Sequence, residues 1–312
     1  MCRDESILIT GGAGFIGHQV ATYLARRGKR ALVLDNLCRA QKKHVDQLKL
    51  EGIPIIVHDV RKTTIPPEVK TFRPNVIVHL AALISVQESI KRPMLYHQVN
   101  VSGTLNMLTV ARKLGCTYFI GASSAAIYGD TQNVPTQENQ PANPLSPYGA
   151  TKVAGEAYTN AYQTSEMTTA SVRPFNVYGP GQNKPYAGVI THFIDAVKAE
   201  IPLTIFGDGL QTRDFVHVTD VAAAIDQLIL ARAPGTYNLG TGISTSISSL
   251  AETVRKSWNS NVKIQYAKSR HGDIKHSVAN IDRLRAIGWT PKIPLSTGID
   301  SLKPSGKPIP AV

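Results

Sequence analysis

The chain has 312 residues, of which 42% are hydrophobic, so it can bury a substantial core in one large domain or in two. Its net charge is +12, but the lysines and arginines are dispersed and only 6% of the residues are aromatic, which argues against a nucleic-acid partner. No apolar run reaches the roughly 18 residues that a membrane-spanning helix requires, so we also expect no membrane partner.

Predicted strands and helices alternate through most of the chain. The strands lie near residues 7–10, 30–34, 53–57, 75–80, 117–122 and 168–173, and a later one follows at 236–240. This alternation predicts an α/β fold with a doubly wound parallel sheet of the Rossmann type, formed by residues 1–176 and 218–242. The segments 177–217 and 243–302 depart from the alternation, and we expect them to form a smaller, discontinuous α/β lobe over the strand ends. Residues 303–312 have the composition of a tail.

A glycine-rich turn follows the first predicted strand. Gly11 permits a tight turn, Gly14 lets the backbone approach a pyrophosphate, and Gly17 lets the next helix pack closely on the strand. The amino terminus of that helix offers unpaired N–H groups to phosphates. The order of strand, turn and helix therefore predicts a dinucleotide site.

Acidic residues end the next two predicted strands. Asp35 is placed to accept from ribose hydroxyls and to repel a ribose phosphate, which favours NAD over NADP. Arg39, four residues later, argues for NADP instead, since an arginine near this position could bind a 2′-phosphate. Asp59 could accept from the adenine amino group, or it could be a solvated loop acid.

Tyr148 and Lys152 lie one helical turn apart, about two dozen residues after Ser123 and Ser124. A phenol has an ordinary pKa of about 10 and is a poor base near neutrality unless a cation stabilises its phenolate. Residues four apart share a helix face, so Lys152 can supply that cation. Together with the dinucleotide motif, the pair predicts a hydride-transfer site.

Three cysteines, Cys2, Cys38 and Cys116, are scattered along the chain. Their spacing does not fit a metal site, and their odd number argues against a disulfide framework. The sequence enters its first strand almost at once, so we expect no signal peptide. We therefore predict no metal and a cytoplasmic location.

These motifs resemble those of the extended short-chain dehydrogenase/reductases of the NAD-dependent epimerase/dehydratase family, over nearly the whole chain. Within that group the sequence is most similar to UDP-glucose 4-epimerases and UDP-N-acetylglucosamine 4-epimerases. The resemblance rests on residues 10–17 (TGGAGFIG), His79–Leu80–Ala81–Ala82, Asn100 before Gly103–Thr104, Ser123–Ser124, Tyr148 with Lys152, and residues 173–181 (RPFNVYGPG).

Two alanines narrow the reaction that the resemblance implies. Family members that eliminate water or decarboxylate carry acidic residues just after the catalytic Ser or Thr, where this chain has Ala125 and Ala126. A methyl group cannot give or take a proton, so elimination is disfavoured. Oxidation and re-reduction at one carbon, which is epimerisation, remains.

The resemblance also implies roles for individual residues. Tyr148 removes the proton of the sugar 4-hydroxyl, Ser124 holds the same oxygen, and Lys152 lowers the Tyr148 pKa and binds the nicotinamide ribose. The expected cofactor is NAD, and the residues expected to bind it are Gly11, Gly14, Phe15, Ile16, Gly17, Asp35, Asn36, Asp59, Val60, Leu80, Ala81, Ala82, Asn100, Tyr148 and Lys152.

The expected substrate is a UDP-sugar. By resemblance, the residues that bind it are Ser85, Ser123, Ser124, Asn176, Val189, Phe206, Arg213, Arg270, Asp273 and Ser277. The two arginines fit the diphosphate because guanidinium groups bind phosphate oxygens bidentately. Arg213 could instead pair only with Asp214, and Phe206 could be a core residue.

Sugar choice is expected to depend on Ser277, where epimerases restricted to glucose and galactose carry a bulky Tyr. A serine leaves space for a 2-acetamido group, or it is an incidental small residue. Ile84, where some glucose-specific members carry Lys, also departs from their pattern.

Two other functions stay open at this point. One is an NAD(P)-dependent reductase of a keto-sugar nucleotide, and the other is an inactive nucleotide-binding scaffold. The family resemblance further implies a homodimer formed through the helices that follow Asn100 and Tyr148.

Overall fold

Fourteen strands occur in the residues that the structure, a computed structural model, describes, namely 5–182, 188–269 and 274–304. They are β1 (Ser6–Thr10), β2 (Arg30–Asp35), β3 (Ile55–Val57), β4 (Val76–His79), β5 (Tyr118–Ala122), β6 (Thr168–Pro174), β7 (Asn176–Tyr178), β8 (Leu203–Phe206), β9 (Thr212–Arg213), β10 (Phe215–His217), β11 (Gly235–Leu239), β12 (Thr245–Ser246), β13 (Ile264–Ala267) and β14 (His276–Ser277).

Helices separate most of these strands. The α-helices are α1 (Phe15–Arg26), α2 (Lys42–Leu50), α3 (Pro67–Phe72), α4 (Val86–Lys91), α5 (Pro93–Tyr96), α6 (Gly103–Lys113), α7 (Pro147–Ala161), α8 (Val189–Lys198), α9 (Val218–Ala231), α10 (Ile247–Ser257), α11 (Asp282–Ala286) and α12 (Leu295–Asp300). A π-helical segment (His97–Ser102) joins α5 to α6, and a 3₁₀ turn (Ala125–Ile127) follows β5.

Seven of the strands form one parallel sheet in the order β11-β6-β5-β4-β1-β2-β3. Successive side chains of a strand point to opposite faces. Ile7 and Ile9 of β1 therefore pack in one hydrophobic cluster, and Leu8 packs in another on the other face. Burial on both faces explains the continuous apolar runs of these strands. The predicted doubly wound fold is confirmed.

The strand order places the ligand crevice. β1 lies between β2 and β4, so the chain passes to opposite sides of β1 after the first and third crossovers. In open α/β sheets, ligands bind beyond the carboxyl ends of the strands at such a switch point. The glycine-rich turn after β1 lies at this place.

A third hydrophobic cluster lies outside the main sheet. Its buried members include Phe193 of α8, Leu203 of β8 and Leu250 of α10. The parallel pair of β8 and β13 and the sheet of β12, β9 and β14 belong to the same part of the chain. The division of the chain into two lobes, with the predicted boundaries, stays a prediction.

In the three ranges that the structure describes, no helix is both long and apolar enough to cross a membrane. The same residues contain no group of three or more His, Cys, Asp or Glu side chains arranged to hold a metal ion.

Candidate active site

A cavity of about 740 Å³ opens at the carboxyl ends of the parallel strands. It runs between the glycine-rich turn after β1 and the amino-terminal end of α7. The predicted site residues that line it are Gly11, Gly14, Phe15, Ile16, Gly17, Asp35, Asn36, Asp59, Val60, Leu80, Ala81, Ala82, Ser123, Ser124, Tyr148, Lys152, Asn176 and Val189.

The glycine-rich turn is shaped for close approach. Gly11 has φ +68°, and a Cβ on Gly17 would lie 2.1 Å from the Gly11 carbonyl oxygen. Gly14 caps α1 without a side-chain hydrogen bond, so the first turn of the helix keeps its N–H groups available to a phosphate. These features fit the pyrophosphate of a dinucleotide.

Asp35 ends β2 at the edge of the same cavity. Its carboxylate accepts from the backbone N–H groups of Ala13 at 3.0 Å and Leu37 at 2.7 Å, which fixes it beside the glycine-rich turn. Burial raises the pKa of Asp35, and the two N–H groups lower it. A carboxylate held here fits the ribose hydroxyls of NAD.

Asp59 also lines this cavity and is bound by protein groups. Arg61 donates to both Asp59 oxygens, at 2.9 and 2.7 Å, and the Asn36 amide donates at 3.0 Å. The Arg61 side chain is the main cause of an Asp59 pKa well below its usual range. Asp59 is therefore not a simple solvated acid, and its predicted contact with adenine stays a prediction.

The start of α7 positions Tyr148. The Ser146 hydroxyl caps the helix by accepting from the Gly149 N–H at 3.1 Å, and Pro147 occupies the first turn. A Cβ on Gly149 would lie 2.8 Å from the Ala126 carbonyl oxygen, so a glycine allows α7 to pack tightly against the turn that carries Ser124.

Tyr148 and Lys152 are both only 8% exposed. The Lys152 ammonium donates to the Ala122 carbonyl oxygen at 2.7 Å and lies 6.0 Å from the centre of the Tyr148 ring. Burial lowers the pKa of Lys152 from 10.5 to about 8.

The pKa of Tyr148 differs from the sequence-based expectation. Burial raises it, the neighbouring Tyr96 adds to the rise, and the hydrogen bond with the Ser124 hydroxyl lowers it. The Lys152 ammonium is bonded to the Ala122 carbonyl rather than to the phenol. The hydrogen bond from Ser124 favours the phenolate, and the role of Lys152 in lowering the Tyr148 pKa stays a prediction.

The two serines after β5 have different surroundings. The Ser124 hydroxyl accepts from the Ala126 N–H at 3.1 Å at the start of the 3₁₀ turn. The Ser123 hydroxyl oxygen is buried and has no hydrogen-bond partner within the described parts of the chain. A buried hydroxyl without a partner is energetically unfavourable, so Ser123 is suited to bind a ligand.

Asn100 and Ser85 are predicted ligand contacts that do not line the cavity. The Asn100 side chain is buried and bonds to both backbone groups of Leu83, at 2.8 and 2.9 Å, and to the Thr151 hydroxyl at 3.0 Å. It therefore ties the cavity wall to α7. Ser85 caps α4 through its hydroxyl, which accepts from the Glu88 N–H at 3.1 Å.

The other predicted substrate residues lie farther along the chain. Arg213 and Ser277 are partners in the register of β9 and β14, and Phe206 ends β8. None of these three lines the cavity, whereas Asn176 does, with its amide donating to the Asp214 carbonyl oxygen at 3.1 Å. Arg270 and Asp273 lie outside the described residues, so their predicted roles stay predictions.

Several cavity residues were not expected from the sequence. Glu88, Arg61 and Arg92 line the cavity with their charged side chains, and Phe175 contributes an aromatic wall. Ser85, three residues before Glu88, matches the start signal of a helix and could have identified this turn as α4. Nothing local to the sequence places α4 beside the loop after β2.

Comparison with known proteins identifies the family. A model of the NAD dependent epimerase/dehydratase family matches residues 7–240. The chain belongs to this family. The predicted family, its fold and its cofactor, NAD, are therefore confirmed, and the geometry of the glycine-rich turn and Asp35 fits that cofactor.

Individual relatives cover almost the whole chain. A UDP-glucose 4-epimerase of Mycolicibacterium smegmatis is 37% identical over 305 residues, covering 94% of this chain and 95% of its own. The structure of Thermus thermophilus UDP-glucose 4-epimerase in complex with NAD superposes with a TM-score of 0.84, at 35% identity, covering 94% of this chain and 96% of that one. UDP-N-acetylglucosamine 4-epimerase from Methanobrevibacter ruminantium, in complex with UDP-N-acetylmuramic acid, gives 0.88 at 31% identity, covering 95% and 96%.

Proposed function

We propose that this protein is a UDP-sugar 4-epimerase that interconverts UDP-glucose and UDP-galactose, and that also accepts the N-acetylated pair. The observation that carries this proposal is the convergence of Ser124, Tyr148 and Lys152 in a cavity that also contains a dinucleotide-type glycine turn. The relatives named UDP-glucose 4-epimerase and UDP-N-acetylglucosamine 4-epimerase support the same reaction.

The side chains divide the proton chemistry among them. Tyr148 takes the proton from the sugar 4-hydroxyl and returns it at the end of the reaction. Ser124 bonds to the same phenol and favours its ionised form. Lys152, held by the Ala122 carbonyl, brings positive charge to this end of the cavity below pH about 8. NAD, held by the glycine-rich turn and Asp35, would supply the hydride acceptor and donor for this oxidation and re-reduction.

The neighbours of Ser124 limit the reaction to one carbon. Ala125 and Ala126 supply no acid or base, so the proton transfers that elimination of water needs have no side chain at these positions. Epimerisation needs no such group, because the sugar is oxidised and reduced again at the same position.

For the nucleotide-sugar, we propose that Asn176, Val189, Phe206, Arg213, Arg270 and Asp273 bind the UDP part, while Ser85 and Ser123 contact the sugar. Ser277 is proposed to leave room for a 2-acetamido group. The pairing of Ser277 with Arg213 in adjacent strands supports a shared role, since it brings a small residue and a cation to one place.

We also propose that the protein is a cytoplasmic homodimer formed through α6 and α7. This assembly rests on the family resemblance. Sedimentation of the purified protein at twice the mass of the chain would support it, and a monomer at working concentration would contradict it.

The direct test is an assay of the purified protein with UDP-glucose, UDP-galactose and their N-acetyl counterparts, with and without added NAD, followed by chromatography of the products. We expect interconversion at C4 without added cofactor. Stoichiometric oxidation of NADH or NADPH by a UDP-4-keto-sugar, with no interconversion of the four sugars, would favour the keto-sugar reductase instead. Absence of turnover with every substrate would favour the scaffold. Activity on UDP-glucose but none on UDP-N-acetylglucosamine would remove the proposed role of Ser277.

A further inference from the structure

An ion pair joins two walls of the cavity that are far apart in sequence. Arg39, in the loop between β2 and α2, donates to Glu88 of α4 with an Nη2–Oε2 distance of 2.5 Å. Both side chains line the cavity, and each is about a quarter exposed. The pair therefore neutralises a guanidinium beside the dinucleotide site.

Glu88 is fixed by further contacts. The Tyr96 hydroxyl donates to the same carboxylate oxygen at 3.1 Å, and the Glu88 N–H donates to the Ser85 hydroxyl at 3.1 Å. Tyr96 itself is fully buried and accepts from the Ser85 N–H at 2.9 Å. Arg92 approaches the other Glu88 oxygen at 3.6 Å. The carboxylate is thus held in place before any ligand binds.

The position of Arg39 relates this ion pair to cofactor binding. Asp35, which faces the ribose part of a dinucleotide site, lies four residues before Arg39 and lines the same cavity. An arginine near such an acid is how proteins of this fold accommodate the 2′-phosphate of NADP. The neighbouring cation, Arg61, is bound by Asp59 in the same way. Both guanidinium groups are therefore already engaged by carboxylates.

We infer that Glu88 determines cofactor choice by holding Arg39 away from a ribose 2′-phosphate. The 2′-phosphate of NADP is then repelled by the Asp35 carboxylate, and Arg39 does not offset that repulsion. Glu88 acts here as a positioning residue. This inference rests on the proposed use of the cavity for NAD. Glu88, which is 49 positions away from Arg39 in the sequence, thus takes part in the discrimination between NAD and NADP.

The test is a competition between the two cofactors. The purified protein is first stripped of bound nucleotide and then incubated with NAD and NADP, both present in excess and at equal concentration. After desalting, the bound nucleotides are released by heating and separated by chromatography. Glu88→Gln keeps the side-chain shape but removes the carboxylate charge, so the Arg39 guanidinium is no longer neutralised by Glu88. We expect the bound NADP to NAD ratio to rise about tenfold over the parent protein, the size typical of one charge-assisted hydrogen bond.

Three further variants isolate the cause. Arg39→Gln combined with Glu88→Gln removes the cation that Glu88 no longer neutralises and should restore the parent ratio. Glu51→Gln breaks a similar pair with Arg26 on the outer surface and should leave the ratio unchanged. Glu88→Ala repeats the test should the glutamine variant fold poorly. A merely structural role of Glu88 would weaken both cofactors alike and leave the ratio constant.

An unchanged ratio in both Glu88 variants, or a raised ratio that persists in the double variant, would overturn the inference. Epimerase activity of the parent protein is measured alongside with UDP-glucose. If the cofactor ratios contradict the inference but the parent protein is an active epimerase, the proposed function stands. An inactive parent whose Glu88 variants still shift the ratio removes the proposed function and leaves the inference standing.

Discussion

The charged side chains at the two ends of the cavity have different surroundings. At the end formed by α7, Tyr148 and Lys152 are buried, and the ammonium bonds to a neutral carbonyl. At the end formed by the loops after β2 and β3, Arg39 and Arg61 are partly exposed and each is bound to a carboxylate. Burial shifts the pKa values of Tyr148 and Lys152 at the first end, whereas pairing shifts those of Glu88 and Asp59 at the second. We propose the first end for the proton chemistry, because a group that transfers protons needs a pKa near the working pH, and burial brings the pKa of Lys152 to about 8.

The largest expected effect comes from removing the phenol at the buried end. Tyr148→Phe should lower kcat by about 10²–10⁴, the usual contribution of a positioned general base. Cofactor binding should persist, since the glycine-rich turn is untouched. Tyr158→Phe, on the exposed face of the same helix, is the matched control and should retain full turnover. Near-normal turnover of the Tyr148 variant would refute the assigned base.

The second prediction concerns the pH dependence that burial of Lys152 creates in cofactor-depleted protein. Its folded-state pKa is about 8, against 10.5 when unfolded. Between these values the unfolded state binds more protons, so the free energy of unfolding rises with pH, by roughly 3 kcal/mol over the window. Urea unfolding at pH 7 and pH 10 measures this rise. Lys152→Met should lack it, and an equal rise in both proteins would contradict the assignment.

The glycine-rich turn lines the same cavity. Adding a methyl group to this turn tests how tightly the turn is packed. Gly17→Ala places a Cβ against the Gly11 carbonyl oxygen, so overpacking should reduce stability by about 1–3 kcal/mol and weaken cofactor retention. Gly28→Ala has open space around its Cβ but a φ of +77°, so it measures backbone strain alone. A smaller loss of stability in the Gly17 variant than in the Gly28 variant would contradict close packing at this turn.

The smallest effect is expected at the paired end. Asp59→Asn removes the charge that binds Arg61, a side chain that is 43% exposed. Partly exposed ion pairs contribute about 0–1 kcal/mol, so the midpoint of urea unfolding should move little. A loss as large as that caused by Gly17→Ala would mean that the contrast between the two ends is mistaken.

The sequence predicted the elements of the main sheet because their signals are local. Six of the seven predicted strands agree with the structure to within one residue at each end. β3 also lies where it was expected, but it begins at Ile55 rather than at residue 53. Pro54 precedes it, lacks an N–H, and contributes only its carbonyl to Val33 of β2.

The groups that a given side chain contacts were harder to predict, since these contacts depend on tertiary packing. The motif that contains Asn100 is evident in the sequence, but its π-helical segment carries the amide into the interior, toward Leu83 and Thr151. The pair of Arg39 and Glu88 joins the loop after β2 to α4, and no local signal in the sequence predicts that these two elements pack together. Charge on a predicted loop therefore did not reveal whether that charge was available to a ligand.

The residues that line the cavity extend from Gly11 in the turn after β1 to Ile225 in α9. Protein domains begin to fold while the ribosome is still adding residues, and the amino-terminal part emerges first. A nascent chain that stops short of α9 holds the glycine-rich turn but lacks the part of the cavity lining that Val221 and Ile225 supply. The complete cavity therefore forms only after α9 has been synthesised, well after the phosphate-binding turn.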